Sequence, residues 1–193
     1  MKIKRTIEAI RRNDPAVRSN REVWLYPGLW AVIYHRIASG MYRRGWFFMA
    51  RLISQRARRR TGIEIHPGAT IGQGLFVDHG AGVVIGETCV IGDDVLIYHG
   101  VTLGGTGKVI GKRHPTVEDG VIIGAGATVL GSITIGKDAK IAAGAMVLKD
   151  VPPNSTIVGE PGRNVKLEAS LRSEIAALKE RLDVLEAASG ANE

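Results

Sequence analysis

An apolar residue, β-branched or leucine, returns every six positions between Glu64 and Val165. A period of six fits neither an α-helix, at 3.6 residues per turn, nor a hairpin strand with alternating faces. Short repeats of this length are typical of a parallel β-helix. We therefore predict a left-handed parallel β-helix of hexapeptide repeats over residues 64–165. The thirteen repeat starts are Ile65, Ile71, Val77, Ile85, Ile91, Ile97, Leu103, Val117, Ile123, Val129, Ile135, Ile141 and Val147.

Each repeat start is expected to point into the coil and to stack on its equivalent one turn later. Three repeats make one triangular turn, and turns lie about 4.8 Å apart, so the run gives roughly four turns. The residue after a start is often glycine, which lets the chain turn a corner at positive φ. The fourth residue after a start, such as Ala81 or Cys89, is small or apolar, and we expect it to point inward. Cys89 is therefore interpreted as a packed core thiol.

Residues 1–63 lack the six-residue period and are predicted to be helical. A short amphipathic helix covers Lys2 to Arg12, and Asp14 can cap a helix that begins with Pro15 at its first position. Further helices are expected after 27–28 and over Trp46 to Arg60. The aromatic residues concentrated in this region are expected to pack the helices onto the coil or onto another subunit.

The segment 166–193 has a different pattern, with leucine or isoleucine in alternating steps of four and three. This heptad seam predicts a C-terminal helix that either forms a coiled coil with other subunits or packs on its own coil. The whole chain is then α+β, with three parts: residues 1–63, 64–165 and 166–193. The heptad positions are Leu171, Ile175, Leu178, Leu182 and Leu185.

Composition narrows the class of protein. The chain has 193 residues, a net charge of +7 and a single cysteine, which excludes an internal disulfide framework. We find no secretory signal and no membrane-spanning run, so we expect a cytoplasmic protein with no membrane partner. The basic run from Arg51 to Arg60 accompanies no nucleic-acid-binding motif, so we interpret it as a solvated helix face and predict no nucleic-acid partner.

Two interruptions of the repeat carry candidate chemistry, because function is often placed where a strict repeat is broken. Two extra residues follow Val77, near Asp78 and His79. We expect Glu64 one turn earlier on the same face, within reach of His79, where a carboxylate would fix the imidazole as a general base. His99 comes twenty residues after His79 and should stack on it. Stacked histidines are also seen in metal sites, but no cysteine or carboxylate cluster accompanies them, so we predict no metal.

The second interruption lies between Leu103 and Val117, a spacing of fourteen that we read as two hexapeptides plus two residues. This glycine-rich segment should leave the coil as a loop. It does not match a Walker motif, but backbone N–H groups near Lys108, Lys112 and Arg113 could cradle an anion.

Four strings together resemble the serine O-acetyltransferase family, whose members make O-acetylserine from L-serine and acetyl-CoA. The resemblance covers about Asp14 to Val165, and other hexapeptide acyltransferases share the repeat but not these strings. The strings are Asp78-His79-Gly80, Val84-Ile85-Gly86-Glu87-Thr88, Val101-Thr102-Leu103-Gly104-Gly105-Thr106-Gly107-Lys108 and Arg113-His114-Pro115.

The resemblance implies a role for each matching residue. His79 would be the general base for the serine hydroxyl, and Glu64, where the family often has aspartate, would orient it. The substrate's ammonium and carboxylate groups would be held by Asp14, Asp78, Arg113 and His114. Acetyl-CoA would lie in a groove between neighbouring coils, lined by Gly105, Thr106, Ala125, Lys140 and Ala143.

The resemblance also implies partners. The family active site lies between adjacent subunits of a homotrimer, and a shorter N-terminal region here fits a lone trimer as well as a pair of trimers. Many members end in an isoleucine that enters cysteine synthase. This chain ends in Asn192-Glu193, so we do not expect that complex.

Two rival interpretations remain. An acyltransferase of the same fold acting on a sugar or another amino acid would not need Asp14 or the Arg113-His114 pair. In a non-catalytic assembly protein, His79→Ala would leave every measurable property unchanged.

Overall fold

The N-terminal region is helical, as expected. The computed structural model describes residues 2–107, 110–159, 174–175 and 178–179. Helix α1 spans Lys2–Asn13, a short 3-10 helix spans Glu22–Leu25, α2 spans Pro27–Arg43 and α3 spans Phe47–Thr61. The helix predicted to begin at Pro15 is wrong. A turn forms there instead, because an Asp14 carboxylate oxygen accepts the Ala16 backbone N–H at 2.8 Å.

The six-residue repeat forms a coil of short parallel strands, which confirms the predicted parallel β-helix. Face 1 consists of β1, β4, β7, β10 and β13, face 2 of β2, β5, β8 and β11, and face 3 of β3, β6, β9, β12 and β14. The handedness of the coil stays a prediction. The strands are β1 Glu64–Ile65, β2 Thr70–Ile71, β3 Phe76–Asp78, β4 Val84–Ile85, β5 Val90–Ile91, β6 Leu96–Tyr98, β7 Thr102–Gly104, β8 Thr116–Val117, β9 Ile122–Ile123, β10 Thr128–Leu130, β11 Thr134–Ile135, β12 Lys140–Ile141, β13 Met146–Val147 and β14 Thr156–Ile157.

The repeat starts fill the interior of the coil. On face 1, Ile65, Ile85, Leu103, Val129 and Val147 follow one another in register, each at most 5% exposed. The equivalent positions of the other two faces are buried in the same way. The interior is therefore an uninterrupted apolar column that one turn alone could not bury.

The corners differ from two expectations. The glycine after a repeat start, such as Gly72 or Gly86, does not have positive φ. A Cβ at Gly72 would lie 2.4 Å from the Gly92 carbonyl oxygen of the next turn, so close approach is what requires glycine there. Ala81 is exposed rather than inward, because the inserted residues bring Val83 into the buried position instead.

The loop after β7 is longer than expected. β7 pairs with β10, and Thr102 lies opposite Thr128, twenty-six residues on, whereas Val84 pairs with Thr102 after eighteen. Eight inserted residues therefore leave the coil between faces 1 and 2, rather than two hexapeptides plus two. Lys108 lies outside the described residues.

The N-terminal helices α1, α2 and α3, which we call the helical cap, cover one end of the coil. The Arg36 guanidinium of α2 donates to the carbonyl oxygens of Ile71 and Gly72, at 2.7 Å for Ile71. His35 of α2 has a structural role, since it is 4% exposed and its Nε2 contacts the Ala69 carbonyl oxygen at 3.1 Å. The cap thus holds the first turn of the coil through backbone carbonyls.

The chain divides into two compact units, residues 1–159 and 160–193. Within the second unit, 174–175 and 178–179 are helical. The rest of the predicted heptad helix lies outside the described residues, and the three-part domain division stays a prediction. Among the described helices, none has the length and apolar character needed to cross a membrane.

Candidate active site

Two corners of the coil carry the candidate site residues. The corner between faces 3 and 1 holds Asp78, His79, His99, Ala125 and Ala143, and we call it the histidine edge. The corner between faces 1 and 2 holds a second set, which we call the arginine edge and which consists of His66, Glu87, Thr88, Gly105, Arg113 and His114.

The histidine edge is continuous along the coil. Asp78 pairs in register with Tyr98, which places His79 and His99 one turn apart as predicted. Gly126 donates its N–H to the His99 carbonyl at 2.8 Å, and Gly144 donates to the Ala125 carbonyl at 2.8 Å. The candidate base and two residues predicted to contact acetyl-CoA therefore follow one another along a single edge.

His79 is presented to solvent in an unusual conformation. Its φ is 53°, in the left-handed region that costs a residue with a Cβ about 1–2 kcal/mol. The side chain is 80% exposed, and its Nε2 lies 3.8 Å from an Asp78 carboxylate oxygen. A non-glycine residue held in this region is often part of a functional site.

Asp14 and Tyr26 form a hydrogen-bonded pair near His79. The Tyr26 hydroxyl donates to Asp14, which lowers the pKa of Asp14; the Ala16 N–H and the nearby His79 lower it further. The same hydrogen bond, with burial and the charges of Asp14 and Asp78, raises the pKa of Tyr26 to about 12. Asp14 is therefore held ionised near the His79 imidazole, and the Asp78 carboxylate lies beside the same ring.

Glu64 does not lie on the same face as His79, and that expectation is wrong. Glu64 lies opposite Val84 on face 1, whereas Asp78 ends a strand of face 3. Fifteen residues are less than one turn, so the two positions cannot stack. Glu64 forms an ion pair with Arg58 at 3.2 Å, and among the described residues no ion pair joins it to His79.

The arginine edge is organised by Glu87 and Thr88. Arg113 Nη2 donates to Glu87 Oε2 at 2.5 Å. The Thr88 hydroxyl oxygen accepts the backbone N–H groups of Arg113 at 3.0 Å and His114 at 3.1 Å. Two successive residues of the inserted loop are thereby tied to the turn that follows β4.

Hydrogen bonding also fixes the tautomer of His114. The Thr88 backbone N–H donates to His114 Nδ1 at 3.2 Å, and the Thr88 hydroxyl lies 2.9 Å from the same nitrogen. Nδ1 is thus the acceptor, which assigns the proton to Nε2. Burial, followed by the charge of Arg113, lowers the pKa of His114, so the ring is neutral. Its Nε2–H lies beside Gly86 and Gly105, where a Cβ would come within 2.2 and 3.3 Å.

The remaining predicted residues are more scattered. Gly105 and Thr106 follow β7 at the arginine edge and are exposed. Lys140 is exposed on β12 of face 3. Within the described ranges, no hydrogen bond or ion pair joins the histidine edge to the arginine edge. The same ranges contain no group of three or more metal-ligating side chains.

Some participants were missed by sequence reasoning. Tyr26 and Tyr42 were assigned to packing with the other aromatics, and only the folded contacts distinguish them. Glu87 and Thr88 belong to a matching string, and their position directly after Gly86 was the available signal. The packed thiol predicted for Cys89 is confirmed, since the residue is 1% exposed; this burial raises the pKa of the thiol to about 12.

The fold and the repeat define a class of protein first. Residues 114–149 match the family described as bacterial transferase hexapeptide (six repeats). The chain is 60% identical over 164 residues to serine acetyltransferase of Bacillus subtilis, covering 84% of this chain and 76% of the relative. Serine acetyltransferase of Helicobacter pylori is 57% identical over 161 residues, covering 83% of this chain and 94% of the relative.

Solved structures agree with this assignment. A Neisseria gonorrhoeae serine acetyltransferase in complex with serine superimposes with a TM-score of 0.79 at 42% identity, covering 84% of this chain and 67% of that one. A Brucella abortus serine acetyltransferase in complex with coenzyme A gives 0.79 at 45% identity, covering 84% and 66%. The chain belongs to the serine acetyltransferase family and is therefore an acyltransferase.

Proposed function

We propose that this protein transfers the acetyl group of acetyl-CoA to the hydroxyl of L-serine, with His79 as general base. The observation that carries the proposal is the exposed His79 imidazole beside the carboxylates of Asp78 and Asp14. The relatives named above, one with serine and one with coenzyme A in its structure, support the choice of substrates.

In the proposed reaction, His79 removes the proton from the serine hydroxyl as its oxygen attacks the thioester carbonyl carbon. Backbone N–H donors stabilise the oxyanion that forms. The tetrahedral intermediate then collapses, the carbon–sulfur bond breaks, and the proton on the imidazole passes to the departing thiolate. The products are O-acetyl-L-serine and free CoA, and no covalent enzyme intermediate is formed.

Side chains on or near the two edges suit the ammonium and carboxylate groups of L-serine. The carboxylates of Asp14 and Asp78 attract the ammonium group. The Arg113 guanidinium and the Nε2–H of neutral His114 are both donors, which suits a carboxylate. The orienting role that the resemblance gives Glu64 stays a proposal, and within one chain Glu64 pairs with Arg58.

Acetyl-CoA is proposed to lie between the histidine edge of one copy and the arginine edge of the next. Ala125 and Ala143 continue the histidine edge beyond His79, and Gly105 and Thr106 are exposed on the arginine edge. A homotrimer, alone or paired with another, would bring unlike edges together.

The test of the reaction is release of CoA thiol from acetyl-CoA with and without L-serine, in wild type, His79→Ala and His99→Ala. We expect serine-dependent release that falls by about a hundredfold or more in His79→Ala, the scale of a lost general base. His99→Ala is the comparison variant: His99 is an exposed histidine one turn along the same edge, next to the proposed acetyl-CoA groove but not the proposed base, so its loss should not reach the hundredfold scale. Release with another acceptor but not serine would contradict the proposed substrate. Equal rates in all three proteins would contradict the role of His79.

A further inference from the structure

Tyr42 of α2 contacts the arginine edge from outside the coil. Its hydroxyl donates to Glu87 Oε1 at 2.8 Å. The other oxygen of the same carboxylate, Oε2, accepts Arg113 Nη2 at 2.5 Å. Glu87 is therefore held at one oxygen by the helical cap, while its other oxygen holds the guanidinium of the inserted loop.

We propose that Tyr42 is a positioning residue for serine recognition: it fixes the Glu87 carboxylate in the orientation that aims Arg113 at the substrate carboxylate. This inference rests on the proposed function. An arginine side chain has several rotatable bonds, and a guanidinium pre-oriented by a carboxylate loses less freedom when the substrate binds.

The ring of Tyr42 is held independently of its hydroxyl. It packs edge-on against Phe47 of α3, with centroids 4.9 Å apart, and against His66 after β1, with centroids 5.7 Å apart. Removing the hydroxyl alone should leave these contacts in place. A change at this single oxygen can therefore separate positioning from packing.

Electrostatics give the same group a pH signature. The hydrogen bond from Tyr42, followed by the one from Arg113, lowers the pKa of Glu87, and His66 contributes in the same direction. The positive charge of Arg51 on α3 acts to lower the pKa of both Tyr42 and His66. Glu87 must be ionised to hold Arg113. Loss of the Tyr42 hydroxyl raises the pKa of Glu87, so on acidification the ion pair with Arg113 is lost at a higher pH.

The test compares Tyr42→Phe with Tyr34→Phe in the full chain, by steady-state CoA thiol release. Tyr34 lies on the same helix, its ring packs against Trp30, and its hydroxyl makes no hydrogen bond to another described residue. We expect Tyr42→Phe to raise the KM for L-serine roughly tenfold, the scale of a lost hydrogen bond to a charged group. The KM for acetyl-CoA and the melting temperature should match wild type, as should all values for Tyr34→Phe.

Two further measurements separate positioning from a general structural effect. The ratio of the serine KM in Tyr42→Phe to the serine KM in wild type should grow as the pH falls, because Glu87 is protonated at a higher pH in the variant. In a double-mutant cycle, Tyr42→Phe should have little further effect on the serine KM in a Glu87→Gln background, because Tyr42 acts through that carboxylate.

A serine KM in Tyr42→Phe equal to that of Tyr34→Phe would overturn the inference. So would parallel changes in both KM values and the melting temperature, or full additivity with Glu87→Gln. Absence of serine-dependent release from the wild-type protein would instead overturn the proposed function, so the two failures are distinguishable.

Discussion

At the scale of single residues, the two histidines of the candidate site are held in opposite ways. His79 is 80% exposed on a left-handed corner with one carboxylate at 3.8 Å. His114 is 8% exposed, and its Nδ1 is held by Thr88. The exposed His79 imidazole is open to substrate, and it can take a proton from serine and pass it on when a second copy of the chain covers the histidine edge. A buried neutral ring is a fixed donor. The two environments therefore suit the two proposed roles.

Gly86 is the residue that allows His114 to reach its position. A Cβ at Gly86 would lie 2.0 Å from His114 Cδ2, although the backbone itself is not in the glycine-favouring region. We predict that Gly86→Ala displaces the imidazole, lowers the free energy of unfolding by about 1–3 kcal/mol through overpacking, and lowers kcat/KM for serine at least tenfold, the scale of a lost contact to a charged group.

The control for this substitution is Gly40→Ala in α2, where an added Cβ meets nothing within 4 Å. We expect it to be neutral or to stabilise by about 0.5–1 kcal/mol, as in other helix interiors. Urea unfolding and serine kinetics measure both variants. A Gly86→Ala protein with wild-type stability and kinetics would mean that His114 does not occupy the place assigned to it.

At the scale of elements, the six-residue period predicted the strands and the three faces well. Each repeat start points inward, and its position depends only on stacking on the equivalent residue of the neighbouring turn. Corners were predicted less well because their geometry depends on the next turn. Gly72 is required by a neighbouring carbonyl, and Ala81 is displaced by an insertion whose register only pairing reveals. The turn at Asp14 replaces a helix because a local carboxylate bond competes with the helical one.

The apolar column of the coil should dominate its stability. Leu103 is fully buried between Ile85 and Val129, whereas Leu148, just after β13, is 56% exposed. We predict that Leu103→Ala lowers the free energy of unfolding by about 2–5 kcal/mol and that Leu148→Ala changes it by less than about 0.5 kcal/mol. Denaturant unfolding measures both. Equal effects would contradict a core that runs through the inward repeat positions.

At the scale of the whole molecule, the candidate residues divide between two edges of one coil. The matching strings identified residues on both edges, because the strings sit at the interrupted corners. They could not indicate that Tyr42, forty-five residues before Glu87, contacts that carboxylate, since this depends on where the helical cap lies. Nor could they indicate that Glu64 pairs with Arg58.

Because the candidate residues are divided between two edges of one coil, a complete site is expected to need a second copy of the chain. His79 belongs to the histidine edge and Arg113 to the arginine edge, and no hydrogen bond or ion pair between described residues joins these edges within one chain. Closed rotational assembly of identical coils would place unlike edges against each other. One complete site would then take its base from one subunit and its carboxylate-binding arginine from the next.

The most direct test is complementation between two inactive variants. His79→Ala and Arg113→Ala are purified separately, then unfolded, mixed in equal amounts and refolded, with each variant refolded alone as the control. Sites shared between subunits predict that the mixture recovers roughly a quarter of wild-type serine-dependent CoA release, because random assembly pairs an intact His79 with an intact Arg113 at that frequency. A mixture no more active than its two components, under conditions in which refolded wild type regains activity, would contradict the shared site and confine catalysis to one chain.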